Sequence, residues 1–214
     1  MKHPEISRIV AAGLACLLAL ATAFPLQAFE RTEQREPCTE YTPERRPMFG
    51  DLHVHTSYSF DSYVSSQRND PDAAYRYAKG EPIVLSDADA KQSITAQIQR
   101  PLDFTAVTDH AEFLGPIDLC TQDASKLAYW FPACIATRNE NFYVQLLAAN
   151  YWVSLGVLDS SDQKAESFVC RLGDCDAAHR AAWRRIQAAA ERHYDRSGDC
   201  SFTTFVGYEY TDAP

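Results

Sequence analysis

The sequence predicts an α/β domain built on a parallel sheet, and three observations carry that prediction. Strand-like and helix-like segments alternate along the chain, which is the pattern of crossover connections between parallel strands. Three strand candidates, at residues 48–54, 102–108 and 202–208, each run directly into side chains able to bind a cation. Between the second and third lies a long helical stretch, residues 115–175, that holds Cys120, Cys134, Cys170 and Cys175 and reads as an insertion stapled by disulfides.

Taken in order, residues 1–28 read as an export signal. Lys2 and Arg8 give a positive start and an apolar run follows from Ile9 to about Phe24. Ala21-Thr22-Ala23 and Leu26-Gln27-Ala28 are alternative cleavage sites. The competing reading is an uncut anchor, but the run is short against the ~20 residues a spanning helix needs. A lipid attachment at Cys16 is disfavoured because that cysteine lies in the middle of the apolar run. Residues 29–47 are polar, contain Pro37, Pro43 and Pro47, and read as an extended lead-in.

The strand at 48–54 opens the domain proper, taken as 48–214. A short helix is expected at 71–79, with Asp70 as its cap, Pro71 at its first position and Gly80 as its stop. Residues 83–100 suit either a helix or a hairpin. The second strand draws on Phe104, Ala106 and Val107. Inside the insertion, residues 139–155 look helical and apolar, with Gly156 as a stop. Residues 176–192 form the clearest helix: Trp183, Ile186, Ala189 and Ala190 lie on one side and arginines opposite. The third strand is rich in β-branched and aromatic residues.

Hydrophobic residues make up 46% and charged residues 23%, a balance that supports a packed globular core. The net charge of −9 comes without long basic stretches, so no surface is built to neutralise nucleic-acid phosphates. Once the signal is cut, no stable membrane span is expected. Cys38, Cys120, Cys134, Cys170, Cys175 and Cys200 remain, an even set that fits disulfides in an exported protein. The sequence does not choose among their pairings. Cys170 with Cys175 and Cys120 with Cys134 are the local candidates. A zinc cluster is disfavoured, since no C-x-x-C pair occurs.

Four short stretches carry the chemistry. In Asp51-Leu52-His53-Val54-His55-Thr56, alternation along a strand turns His53 and His55 to the same side, where two neutral imidazoles can share one cation. Asp51 shares that face and can orient a ligating imidazole. Asp61, in the loop beyond, can turn back to the cation. In Thr108-Asp109-His110-Ala111-Glu112, His110 follows its strand immediately, and Asp109 or Glu112 can hold its second ring nitrogen or share a metal. In Gly207-Tyr208-Glu209-Tyr210, Glu209 can bridge two cations. An H-x-H pair by itself is a weak signal, and each of these acids by itself is ordinarily a solvated loop residue. Ser57 and Ser59 receive no catalytic role, Tyr58 and Tyr210 either touch substrate or pack, and His179 and His193 read as structural.

H-x-H-T, a nearby aspartate, T-D-H and G-x-E in this order resemble the PHP superfamily (polymerase and histidinol phosphatase). The stretches Phe49-Gly50-Asp51-Leu52-His53-Val54-His55-Thr56, Arg100-Pro101-Leu102-Asp103-Phe104 and Val107-Thr108-Asp109-His110-Ala111-Glu112-Phe113-Leu114-Gly115 resemble one branch of it, domain of unknown function 3604, found in large exported bacterial proteins. The likeness spans about residues 48–210. It implies a partial PHP-type distorted (β/α)7 barrel holding up to three divalent ions. It further implies His53, His55, Asp61, His110 and Glu209 as metal ligands, beside which the residue reading sets Asp51, Asp109 and Glu112 as supporting acids. The superfamily's later histidines and closing D-x-H have no match after Glu209, so the chain is expected to be the N-terminal part of a longer domain.

The activity so implied is hydrolysis of a small-molecule substrate, a phosphoester, by a metal-activated water in the periplasm or outside the cell. Histidine and carboxylate donors suit zinc, manganese or iron. Hydrolysis of amides or esters is the alternative chemistry, and a non-catalytic exported module with an incomplete site is the alternative that involves no reaction.

Overall fold

The computed structural model describes residues 35–86, 93–159 and 167–211. The expected export signal, its cleavage sites and Cys16 lie outside these residues. The chain divides into Met1–Glu36 and Pro37–Pro214, and the architecture below belongs to the second unit. In chain order its elements are β1 (Gly50–Val54), α1 (Phe60–Val64), α2 (Pro71–Ala78), β2 (Ile83–Ser86), β3 (Ser93–Ala96), β4 (Phe104–Val107), α3 (Leu114–Thr121), α4 (Pro132–Thr137), α5 (Phe142–Asp159), α6 (Phe168–Arg171), α7 (Cys175–His193) and β5 (Thr203–Val206).

The three expected strands form one parallel sheet in the order β1-β4-β5. Gly50 pairs with Phe104 and Val54 with Val107, with a register irregularity between Asp51 and Val54. On the other side Phe104 to Val107 pair in step with Thr203 to Val206. Among the described residues the sheet is open, with β1 and β5 at its edges, and no sheet closes into a barrel. Residues 83–100 resolve as the hairpin and not the helix: β2 and β3 pair antiparallel, from Ile83 with Ala96 to Ser86 with Ser93. The β-branched residues Ile83, Val84, Ile94 and Thr95 favour that outcome.

Helix α2 starts as its sequence requires. The Asp70 carboxylate accepts the Ala73 N–H at 2.9 Å and Pro71 occupies the first turn. It ends at Gly80, whose φ of 83° is the left-handed conformation glycine adopts freely. Helix α7 begins with Asp174 accepting the Ala177 N–H at 2.8 Å. It buries a narrow face of Ala178, Ala182, Ile186, Ala189 and Ala190. The small side chains let α3 approach closely: a Cβ at Gly115 would lie 2.4 Å from the carbonyl oxygen of Cys175.

The described residues between β4 and α7 are largely helical and cross-linked. Cys120 pairs with Cys134 and Cys170 with Cys175, the two local pairings expected. The third bridge, Cys38–Cys200, spans 162 residues and ties the lead-in to the loop before β5. Buried Trp152 anchors α5, donating from Nε1 to Thr137 Oγ1 at 2.9 Å. One expectation fails here: α5 does not stop at Gly156 but runs on to Asp159. A helical glycine costs only about 1 kcal/mol relative to alanine, less than burial of an apolar face contributes. No helix among the described residues is long and apolar enough to cross a membrane.

Candidate metal centre

The C-terminal ends of the three parallel strands are locked to one another. Thr108 N–H donates to the Val54 carbonyl at 2.8 Å, and Val54 N–H donates to Thr108 Oγ1 at 3.1 Å. Beyond β4 and β5 the parallel pairing continues as a bridge between His110 and Glu209. There Glu209 N–H donates to the Asp109 carbonyl and Ala111 N–H to the Glu209 carbonyl. Residues as far apart in sequence as Val54 and Thr108, or Asp109 and Glu209, are therefore fixed side by side by main-chain bonds.

Three donor atoms converge at this end of the sheet. His53 Nε2 lies 2.7 Å and His55 Nε2 lies 2.8 Å from Glu209 Oε2, and the two nitrogens are 3.0 Å apart. Ligands about 2.0–2.1 Å from one zinc ion are about 3.3 Å apart in a tetrahedral shell, so this spacing suits a shared cation. The tautomer of His55 points the same way. His55 Nδ1 sits 2.8 Å from Asp61 Oδ2, and a carboxylate there requires an N–H on Nδ1. That leaves the Nε2 lone pair facing the Glu209 carboxylate, two acceptors in contact. Such a contact is stable only with a positive charge between them, a proton or a metal ion. With protons alone, the hydrogen bond to Asp61 and the charge of Glu209 outweigh burial and push the His55 pKa up to about 9.

A second group adjoins the first. His110 Nε2 is 3.9 Å from Asp61 Oδ2 and 3.9 Å from Glu209 Oε1. Glu209 thus turns one oxygen to the H-x-H pair and the other toward His110, the disposition of a carboxylate able to bridge two cations. Among the described residues, His53, His55 and Glu209 form one set able to hold a metal ion, and His55, Asp61 and His110 form another. Burial opposes the ionisation of Asp61, but hydrogen bonds from His55 and Ser59 prevail and hold its carboxyl well below the usual carboxylate range. Burial likewise works against Glu209, and the facing His110, His53 and His55 lower its pKa.

The supporting acids take distinct places. Glu112 Oε1 accepts from His110 Nδ1 at 2.9 Å, which fixes the ring with Nε2 toward the cluster. Its other oxygen is buried without a partner among the described residues. For His110, burial lowers the pKa but the Glu112 carboxylate more than offsets it, so the net shift is upward. Asp109 does not touch that ring. It is fully buried and accepts the Thr56 N–H at 2.5 Å and the Thr56 hydroxyl at 2.8 Å, pinning the turn after His55. Burial pushes its pKa up to about 6 against those two bonds. Asp51 accepts the His53 main-chain N–H at 2.9 Å, so it steadies the irregular part of β1 and leaves the imidazole alone.

Two residues that sequence reasoning passed over belong to the site. Ser59, fully buried, donates from Oγ to Asp61 Oδ1 at 2.6 Å and accepts the His110 N–H at 3.2 Å. It joins the loop after β1 to the loop after β4. Thr56 is the partner Asp109 needs. The only signal for either was a hydroxyl within a few residues of a ligand, which most loops offer. Phe60 packs its ring 4.9 Å from that of His110 and closes the apolar side. Tyr58 turns away to Arg185, whose Nε donates to its hydroxyl at 3.0 Å. His193 bonds Asp72 at 3.1 Å and stacks on Tyr75, outside both metal-capable sets, and His179 belongs to neither.

Comparison with known proteins adds one match. A family model described as "Protein of unknown function (DUF3604)" covers residues 42–214. No curated protein and no solved structure matches the chain.

Proposed function

The chain belongs to the DUF3604 family, and we propose that it forms the metal-binding part of an exported hydrolase acting on small phosphoesters. The reading rests on one observation above the others: the meeting of His53 Nε2, His55 Nε2 and Glu209 Oε2 within 3.0 Å of one another. A divalent ion such as zinc, manganese or iron supplies a water of lowered pKa and charge neutralisation on a phosphoester when bound at such donors. The chain's own residues hold and tune that ion. His53 and His55 offer neutral nitrogens, Glu209 offers a bridging carboxylate, and His110 with Asp61 extends the set toward a second position. Asp61 and Glu112 hold the far nitrogens of His55 and His110, which keeps the ligating lone pairs aimed inward. The likeness to the PHP superfamily supports the same reading, and within it the open sheet is the first part of a distorted barrel.

The test is metal analysis of purified protein combined with turnover of p-nitrophenyl phosphate, p-nitrophenyl acetate and a p-nitroanilide. Bound metal with phosphoester turnover, both lost in His55→Ala, is the expected result. Turnover of the acetate or anilide alone replaces the phosphoester with an ester or amide. Metal absent after incubation with zinc, manganese or iron overturns the reading.

A further inference from the structure

Next to the metal centre lies a cavity of about 460 Å³, and its walls include His55 and Thr56. It is roofed by the β2–β3 hairpin. Ile83 and Leu85 share one face of β2, and antiparallel pairing puts Ala96 and Ile94 on that same face. Ile83, Leu85, Ala96 and the following Ile98 line the cavity from this side, and Ala74 and Ala78 of α2 line it from another. Gln97 holds the roof down by donating from Nε2 to the Gly80 carbonyl at 2.7 Å.

Polar side chains share these walls, among them Asp51, Gln67, Asn69 and Arg100. Gln67 Oε1 accepts both the main-chain and the side-chain N–H of Asn69, at 2.8 and 2.9 Å, which fixes both amides. Arg100 stacks its guanidinium 4.5 Å over the Phe49 ring, and no carboxylate lies within ion-pair reach of it among the described residues. Mostly apolar walls, oriented polar groups and a volume within the ~300–1,000 Å³ range are the marks of a small-molecule pocket. A water-filled cavity with such walls forgoes about 25 cal/mol for every Å² of apolar surface a ligand would cover.

We infer that this cavity receives the alcohol portion of the substrate, an aryl or branched alkyl group, while the phosphoryl end faces the metal centre. The inference rests on the phosphoesterase reading for the phosphoryl end only. It assigns the substrate class as a phosphoester of an apolar alcohol, with Arg100 and the Gln67–Asn69 pair orienting it.

The experiment is calorimetric titration of the zinc-loaded chain with two non-hydrolysable probes, 1-naphthylmethylphosphonate and methylphosphonate. The naphthyl probe is expected to bind at least about 10-fold more tightly. Ala96→Trp, which fills the cavity, and Ile98→Asp, which puts a charge in its wall, are each expected to abolish that advantage and leave methylphosphonate binding unchanged. Equal binding of the two probes, or an advantage that survives both variants, overturns the inference. Titration of the metal-free chain with 1-naphthol separates this outcome from failure of the phosphoesterase reading. If neither phosphonate shows zinc-dependent binding, saturable 1-naphthol binding lost in Ala96→Trp still supports the cavity, and its absence overturns it.

Discussion

Asp61 Oδ2 stands 2.8 Å from His55 Nδ1, while the other oxygen of the same carboxylate takes the Ser59 hydroxyl at 2.6 Å. The aspartate thereby decides which nitrogen of His55 carries the proton and which one faces His53 and Glu209. A carboxylate behind a ligating imidazole raises ligand basicity and fixes the ring, and its loss usually costs 10–100-fold in metal affinity. Asp61→Asn is therefore expected to weaken zinc binding by about 10-fold or more. Competition titration with a chromogenic chelator measures it. An unchanged affinity would remove Asp61 from the site.

The same contact sets the pH dependence. With no metal bound, the pKa of His55 is pushed up to about 9, chiefly by its bond to Asp61. A metal ion must displace that proton, so the apparent zinc affinity should fall about tenfold for each pH unit below about 9 until further groups titrate. The sign for stability is the reverse. The folded-state pKa lies above the unfolded value of about 6.5, so in metal-free protein His55 adds stability that is complete below about 6.5 and is lost as pH rises through about 9. Thermal melts of chelator-treated protein between pH 6 and 9.5 should show this decline, and saturating zinc should remove it. A flat metal-free profile would contradict the charge arrangement.

Ser59 links the two ligand-bearing loops from a fully buried position. Ser59→Ala leaves the His110 N–H without its acceptor and Asp61 with one donor fewer. Loss of a buried hydrogen-bond partner costs about 1–3 kcal/mol, read as a lower urea midpoint with an unchanged slope. Zinc affinity should fall as well, because both disturbed groups border the cluster. A variant that melts like the parent and binds zinc equally would make Ser59 a bystander.

How much of this was legible in the sequence follows from the reach of each signal. The parallel strands could be read because each candidate runs directly into a ligand type, and His53 and His55 could be placed on one side from the period of a strand alone. The cap of α2 is local chemistry and was readable at Asp70, whereas the Asp174 cap of α7 was not named from the sequence. The choice between Asp109 and Glu112 as partner of the His110 ring was not readable, since it depends on Thr56, 53 residues away in sequence, claiming Asp109 first. The bonding of Asp51 to main chain instead of an imidazole follows from the register irregularity in β1, which no residue type announces. The Cys38–Cys200 pairing depends on tertiary contact across 162 residues.

That last bridge carries a consequence for the metal centre. It closes the longest of the three disulfide loops and anchors the segment immediately before β5, whose strand delivers Glu209. Thr39 reinforces the junction, donating its main-chain N–H to the Gly198 carbonyl at 2.9 Å. In the chain-entropy model, closing a loop of this length is worth about 5 kcal/mol, against about 3 for the short Cys120–Cys134 loop. The double variant Cys38→Ser, Cys200→Ser should therefore lower the melting temperature more than Cys120→Ser, Cys134→Ser does. Because β5 stays paired to β4 through main-chain bonds that the variant leaves intact, zinc binding should persist at temperatures well below the new midpoint. Differential scanning calorimetry with and without zinc separates the two effects. Equal destabilisation by the two double variants would show that native packing around each bridge, and not loop closure, sets its contribution.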